Sequence, residues 1–228
     1  MEELKTKEAQ YQVCVEAADE RGYETLGLRS NESWYEDPKH IVFRLSRYKF
    51  IAKMFSGYKN VLEVGCGDAF GTRIVQAEVE KFTAIDFDPI FIEDVKRRMV
   101  PRWQFDAFVY DMLSGPVPGQ FDGVFALDVL EHIDENDEQL FLEHSFASLA
   151  PHGAAIIGIP SLESQVYASP QSKIGHVNCK SAPELKELLS NYFHSVFIFS
   201  MNDEVVHTGY HKMAHYIFAI CADRKIVT

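Results

Sequence analysis

The feature that most constrains this chain is an apolar run ending in three closely spaced glycines, Val61-Leu62-Glu63-Val64-Gly65-Cys66-Gly67-Asp68-Ala69-Phe70-Gly71. Glycine lets a backbone turn sharply and approach a ligand closely. A buried strand that stops there, followed by a helical pattern from Ala69 to Val79, reads as a strand–turn–helix unit. The alternation then repeats. Phe82 to Asp86 reads as a second strand, and Pro89 opens a helix, where its missing N–H costs nothing. Phe105 to Tyr110, Phe121 to Leu127 and Ala154 to Ile159 read as three more strands, the last stopped by Pro160. A helix from Asp134 to Leu149 separates the last two; Asp134 can cap it, and Asp137 sits in its first turn. Strands alternating with helices predict a parallel sheet covered on both faces, and right-handed crossovers make it an α/β doubly wound fold.

Around this core, 59–160, lie two further zones of one domain, 1–228. Residues 1–58 read as a helical region, with Ile41, Leu45, Tyr48, Ile51, Ala52 and Phe55 at helical spacing. The link from Gly22 to Pro38 within it is polar and turn-rich. Trp34 and Tyr35 in that link are candidates for a lid or for core packing. Residues 161–228 begin with a polar loop. A helix from Ser181 to Asn191 follows, with Ser181 and Glu184 as a capping box. Two strands, Phe193 to Ser200 and Met213 to Ala222, have no helix between them and should pair antiparallel.

Charge narrows the partners. With 22 basic and 34 acidic side chains the formal net charge is −12, and no basic stripe suits a phosphate backbone, so nucleic acid is not expected. The four cysteines are scattered without CxxC spacing, the usage of a reducing compartment. Met1 to Glu8 is charged with no apolar leader core, and the longest apolar stretches are too short to span a bilayer. A cytoplasmic location, a small-molecule partner and no membrane are therefore expected; homo-oligomerisation stays open.

The glycine turn carries the chemistry. Its G-x-G-x-x-x-G spacing is one residue longer than the dinucleotide fingerprint. Glu63, two residues before the first glycine, is poorly suited to a pyrophosphate and well suited to a ligand bearing an ammonium. Asp86, ending the second strand, is placed to accept hydrogen bonds from ribose hydroxyls.

The segment Val61 to Gly67 resembles motif I of the class I S-adenosylmethionine-dependent methyltransferases. Asp86 and Phe87 are similar to the family's ribose-binding acid and adenine-flanking residue. Asp111 and Met112 resemble the pair at the adenine amino group. Phe121 to Leu127 with Asp128 resembles the fourth-strand motif, and Leu149-Ala150-Pro151-His152-Gly153 the L-x-P-G-G turn, with His152 in place of one glycine. The resemblance implies a Rossmann-like, seven-stranded sheet with the last strand antiparallel, and S-adenosylmethionine as cofactor. It implies a cofactor site of Glu63, Gly65, Cys66, Gly67, Asp86, Phe87, Asp111, Met112, Leu127 and Asp128. Arg47 precedes motif I by a distance seen in ubiquinone-type O-methyltransferases, where an arginine holds the methionine carboxylate.

Methyl transfer to a hydroxyl needs a group to handle its proton. Asp128, Glu131 and His132 fall at i, i+3 and i+4 after the fourth strand, and His176 lies in the loop after the fifth. The set Asp128, Glu131, His132 and His176 resembles the metal site of ubiquinone O-methyltransferases and small-RNA ribose 2′-O-methyltransferases. Such mixed ligands suit Mg²⁺ or Mn²⁺. The same D-x-L-E-H pattern occurs in family members that use no metal, and Asp128 stands where the metal enzymes have Glu, so a metal-free pocket floor is the favoured reading. His176, His207 and His132 are the candidate catalytic groups, and Tyr210 and His211 the candidate acceptor contacts. A hydroxyl acceptor (a sugar, sugar nucleotide or natural product) is preferred over an amine. A non-catalytic cofactor-binding partner and a nicotinamide-dependent oxidoreductase are the remaining readings.

Overall fold

The computed structural model describes residues 5–225, so the ends of the two flanking zones, 1–4 and 226–228, lie outside the described residues. One eight-stranded sheet organises the chain. The first strand, β1 (Asn60–Val64), pairs in parallel with β2 (Lys81–Asp86) on one side and β4 (Phe121–Leu127) on the other. Strand β3 (Asp106–Val109) lies outside β2, and β5 (Leu149–Pro160) outside β4, both parallel. Beyond them come β6 (Phe193–Asn202), β7 (Val205–His207) and β8 (Tyr216–Arg224). The order is β3-β2-β1-β4-β5-β8-β6-β7. The last strand, β8, is antiparallel to both β5 and β6. The seven-strand pattern expected from sequence is thus present, with one correction. The irregular segment after β6 folds back as β7, a three-residue edge strand that makes the sheet eight-stranded.

Side chains alternate between the two faces of each strand. Leu62 and Val64 join one buried cluster with Phe141, Leu142 and Phe146 of α6 (Glu135–Ala147) and Leu185 and Leu189 of α8 (Ala182–Ser190). Val61 joins the opposite cluster. There it meets Tyr48, Ile51 and Ala52 of α3 (Lys39–Met54), Phe55, and Ile92 and Val95 of α5 (Pro89–Arg98). Each fully buried large apolar side chain stabilises by about 1.5–3 kcal/mol. Phe50 extends the α3 contact across the sheet, its ring 4.7 Å from that of Phe218 on β8.

Three local expectations change. Helix α4 covers only Thr72–Gln76, because the turn occupies the chain as far as Gly71. The loop after β5 is structured as a 3-10 turn, Leu162–Tyr167, and a short helix, α7 (Pro170–Gly175). The link between α1 (Gln12–Arg21) and α3 contains a helix, α2 (Leu28–Glu36). Its N-cap Gly27 has no side chain to offer, and the missing acceptor comes from elsewhere: Asp68 Oδ2 accepts from the Ser30 amide at 2.6 Å. Trp34 and Tyr35 on this helix are exposed and pack into no core.

Candidate active site

The ends of β1 and β2 are tied together at the switch point, where the chain leaves one side of β1 for the other. Gly65 has φ +73°, and a Cβ there would fall 2.4 Å from Val129 Cγ2, so conformation and space both demand glycine. The Gly65 and Cys66 amides donate to the Ile85 carbonyl at 2.8 and 3.0 Å. The Gly67 amide donates to Asp86 Oδ2 at 2.8 Å, and the Asp88 amide to Asp86 Oδ1 at 2.9 Å. Asp86 is therefore fixed in orientation before any ligand arrives.

Along these strand ends runs a cavity of about 590 Å³. Gly65, Gly67, Asp86, Phe87, Asp111, Met112 and Asp128 all line it, as does His132. Asp111 uses Oδ1 to accept from the Leu113 amide at 2.9 Å, capping the turn that carries Met112. A smaller polar recess adjoins the glycine turn, walled by Arg29, Arg44, Tyr48, Cys66, Asp68 and Leu127. Another cavity, about 640 Å³, lies between α1 and Pro101–Trp103, away from the strand ends.

On the acceptor side, Glu131, His132 and His176 each offer a ligand atom within 4.8 Å of the others. The two imidazole rings sit 5.2 Å apart. His132 Nδ1 is 2.8 Å from the Gly175 carbonyl and His176 Nδ1 2.8 Å from Gln165 Oε1. Both contacts assign the proton to Nδ1 and leave Nε2 with a free lone pair. Glu131 is 1% exposed, and its Oε2 has no partner among the described residues. Burial, then the neighbouring Asp128, pushes the Glu131 carboxyl well above its usual range. Burial, then His132, lowers His176.

Residues 61–153 match a family model described as a methyltransferase domain. A Mycolicibacterium smegmatis protein named "Probable S-adenosylmethionine-dependent methyltransferase" is 27% identical over 168 residues, covering 72% of this chain. Residues 61–153 thus carry a methyltransferase domain. The chain spans 60% of the length of that curated relative. Solved structures share the fold. The N-methyltransferase NodS from Bradyrhizobium japonicum WM9, in complex with S-adenosyl-L-homocysteine, superposes with a TM-score of 0.62 at 17% identity, over 83% of this chain and 90% of its own. The methyltransferase domain of bacterial CtHen1-C gives 0.67 at 16%, over 79% and 98%. DhpI with S-adenosylhomocysteine gives 0.63 at 17%, over 86% and 91%.

The family's cofactor is S-adenosylmethionine, and the donor set here fits it. Two oriented carboxylates, Asp86 and Asp111, line the cavity together with Phe87 and Met112, which suits a ribose diol and an aromatic base.

Several sequence-predicted residues sit elsewhere in this methyltransferase fold. Glu63 lines neither the cavity nor the recess. It is 1% exposed and accepts from Tyr48 Oη and Thr72 Oγ1, each at 2.6 Å, so it joins α3 to α4 behind the turn. Arg47 is spent on Asp128, whose two oxygens lie 2.8 and 2.7 Å from one guanidinium nitrogen. That pairing also takes Asp128 out of the metal-ligand set. His207 has both ring nitrogens engaged, Nε2 with Asn202 Oδ1 and Nδ1 with the Gly209 amide, each at 2.9 Å. It sits on the edge strand β7, four strands from β4, and acts as a hairpin staple. At about 4.8 Å per strand that is on the order of 19 Å away. His211 faces a separate groove with Lys186 and Thr208, and Tyr210 is exposed; neither lines the cavity. Sequence reasoning passed over Arg29, Asp68 and Gln165.

Proposed function

We propose that this chain transfers the methyl group of S-adenosylmethionine to a hydroxyl oxygen of a small-molecule acceptor. One observation carries the reading: Asp86, Asp111 and His132 line a single cavity, so donor-side carboxylates and an acceptor-side imidazole share one space. On this reading Asp86 binds the ribose hydroxyls and Asp111 the adenine amino group. Phe87 and Met112 flank the adenine. The backbone of Gly65 to Gly67 lies under the amino-acid tail, with Leu127 and Asp128 as the inner wall. When bound, the cofactor supplies a methyl group on a cationic sulfur, an electrophile that reacts with a nucleophile held in line. The chain's own contribution is to orient both molecules and to receive the acceptor's proton. The free Nε2 atoms of His132 and His176 are suited to that. Sugars, sugar nucleotides and hydroxylated natural products are the acceptors to try first.

A second reading of the same three residues is favoured by the unpartnered Oε2 of Glu131. A buried carboxylate oxygen beside two imidazoles whose Nδ1 protons are held by oxygens has the outer-shell pattern of a metal site. Glu131, His132 and His176 would then hold Mg²⁺ or Mn²⁺, which would lower the acceptor hydroxyl's pKa.

Calorimetric titration with S-adenosylhomocysteine and with NADH tests the donor assignment. Binding of the first alone is expected; binding of NADH alone would sink it. Incubation with methyl-labelled cofactor and an acceptor panel, followed by mapping of the methylated atom, tests the acceptor assignment. A methyl group on nitrogen would replace the oxygen reading.

A further inference from the structure

Helix α2 is seated on the glycine turn by carboxylates from outside the helix. Asp68 accepts from the Ser30 amide at 2.6 Å, and Asp94 Oδ2 from the Leu28 amide at 3.3 Å. A Cβ on Gly27 would lie 2.4 Å from Asp68 Cβ, so the seat admits only glycine. Ser30 is fully buried in it. Arg29 lies between these anchored residues, and it lines both the main cavity and the polar recess beside Gly65 and Gly67.

A ligand tail bearing a carboxylate needs a cation here, since Asp68, Asp86 and Asp128 make the surroundings acidic. Three arginines are near. Arg47 lines neither the cavity nor the recess and pairs through one nitrogen with Asp128. Arg44 donates to Ser33 Oγ at 2.7 Å and Ser30 Oγ at 3.4 Å, which ties it to the inner side of α2. Arg29 makes no side-chain hydrogen bond or ion pair among the described residues. Its charge nevertheless reaches the site, adding to the pull that holds Asp128 below its ordinary value.

We infer that Arg29 is the carboxylate anchor of the donor site, holding the methionine carboxylate of the cofactor through its guanidinium fork. The inference rests on the donor reading of the cavity given above. It moves the role expected of Arg47 to a residue on α2, and it makes the seating of α2 part of cofactor recognition.

The test is calorimetry with two ligands, S-adenosylhomocysteine and 5′-methylthioadenosine. The second keeps the nucleoside and lacks the amino-acid tail. For Arg29→Ala, S-adenosylhomocysteine affinity should fall about 10–100-fold while methylthioadenosine affinity stays within about twofold. Arg29→Lys should recover part of the loss. Equal loss for both ligands would mean that α2 merely closes the site, and would overturn the assignment. No loss for either would also overturn it, while leaving the donor reading intact. Failure of the unmodified protein to bind either ligand would remove the donor reading itself.

Discussion

Arg47 and Asp128 stand 81 residues apart in the chain, and one guanidinium nitrogen of the first lies within 2.8 Å of both carboxylate oxygens of the second. The guanidinium also stacks 3.8 Å from the centre of the Tyr216 ring. Asp128 itself adopts φ +57°, a left-handed backbone that non-glycine residues seldom take. Burial opposes both charges, and the neighbours together outweigh it: Arg47, Arg29, Tyr216 and Arg44 hold Asp128 below its ordinary value, and Asp128, Tyr216 and Glu131 hold Arg47 above its own. The pair joins α3 to the end of β4, beside the cavity that Asp128 lines.

Removing one partner leaves the other charged and shielded from water. Arg47→Met should destabilise the fold by about 3 kcal/mol in urea denaturation. The double variant with Asp128→Asn should recover at least ~1 kcal/mol of the summed single losses. Strict additivity would show that the two residues are not coupled.

Glu63 predicts a pH dependence. Burial pushes its carboxyl up to about 7 from an ordinary 4.5, against the hydroxyls of Thr72 and Tyr48, which pull it down. Between these values the folded chain holds a proton that the unfolded chain has released. The group's stabilising contribution is therefore full below pH 4.5 and is lost as pH rises through about 7. Without ligand, the urea midpoint should fall between pH 5 and pH 8, and Glu63→Gln should remove roughly 2–3 kcal/mol of that fall. An unchanged pH profile in the variant would refute the assignment.

Gly27 should govern the α2 seat independently of the core. Gly27→Ala places a methyl group against Asp68. Limited proteolysis should then cut faster within 22–38, and S-adenosylhomocysteine affinity should drop about tenfold, roughly 1.4 kcal/mol. The melting temperature should move by only a few degrees, because α2 buries little beyond Ser30. Undiminished protease resistance would argue against this role for Asp68.

The acceptor-side triad makes a prediction about cations. Millimolar Mn²⁺ should raise the melting temperature of the unmodified chain by a few degrees through binding to the folded state. Glu131→Gln and His176→Ala should each abolish the shift. A chain indifferent to Mn²⁺ would leave His132 and His176 as proton acceptors without a metal.

Much of the site was legible because its signals are local. Gly65 and Gly67 announce a turn, Asp86 ends an apolar run, and Asp111 precedes the turn that carries Met112. Each needs only its own neighbours to be recognised. The residues that lie off the cavity depend on partners that only folding brings to them. Glu63 read as a ligand contact because nothing in Val61 to Val64 reveals that Tyr48 and Thr72 will take both its oxygens. His207 read as a base because its partners, Asn202 and Gly209, meet it only when the segment folds into a hairpin. Helix α2 went unread because its cap, Asp68, is 38 residues away.

By itself, then, the chain's order of apolar runs, glycines and helical patterns determined a doubly wound sheet with its ligand end at the carboxyl edge of β1, β2 and β4. That follows from periodicity and turn chemistry, which act over a few residues. Only the tertiary structure decided which charges are spent on each other and which stay free. Arg47 is neutralised by Asp128, Arg29 is left facing the cavity, and Glu131 gathers with His132 and His176. Electrostatic pairing depends on distance in space, and in this fold residues many tens of positions apart lie within 3 Å.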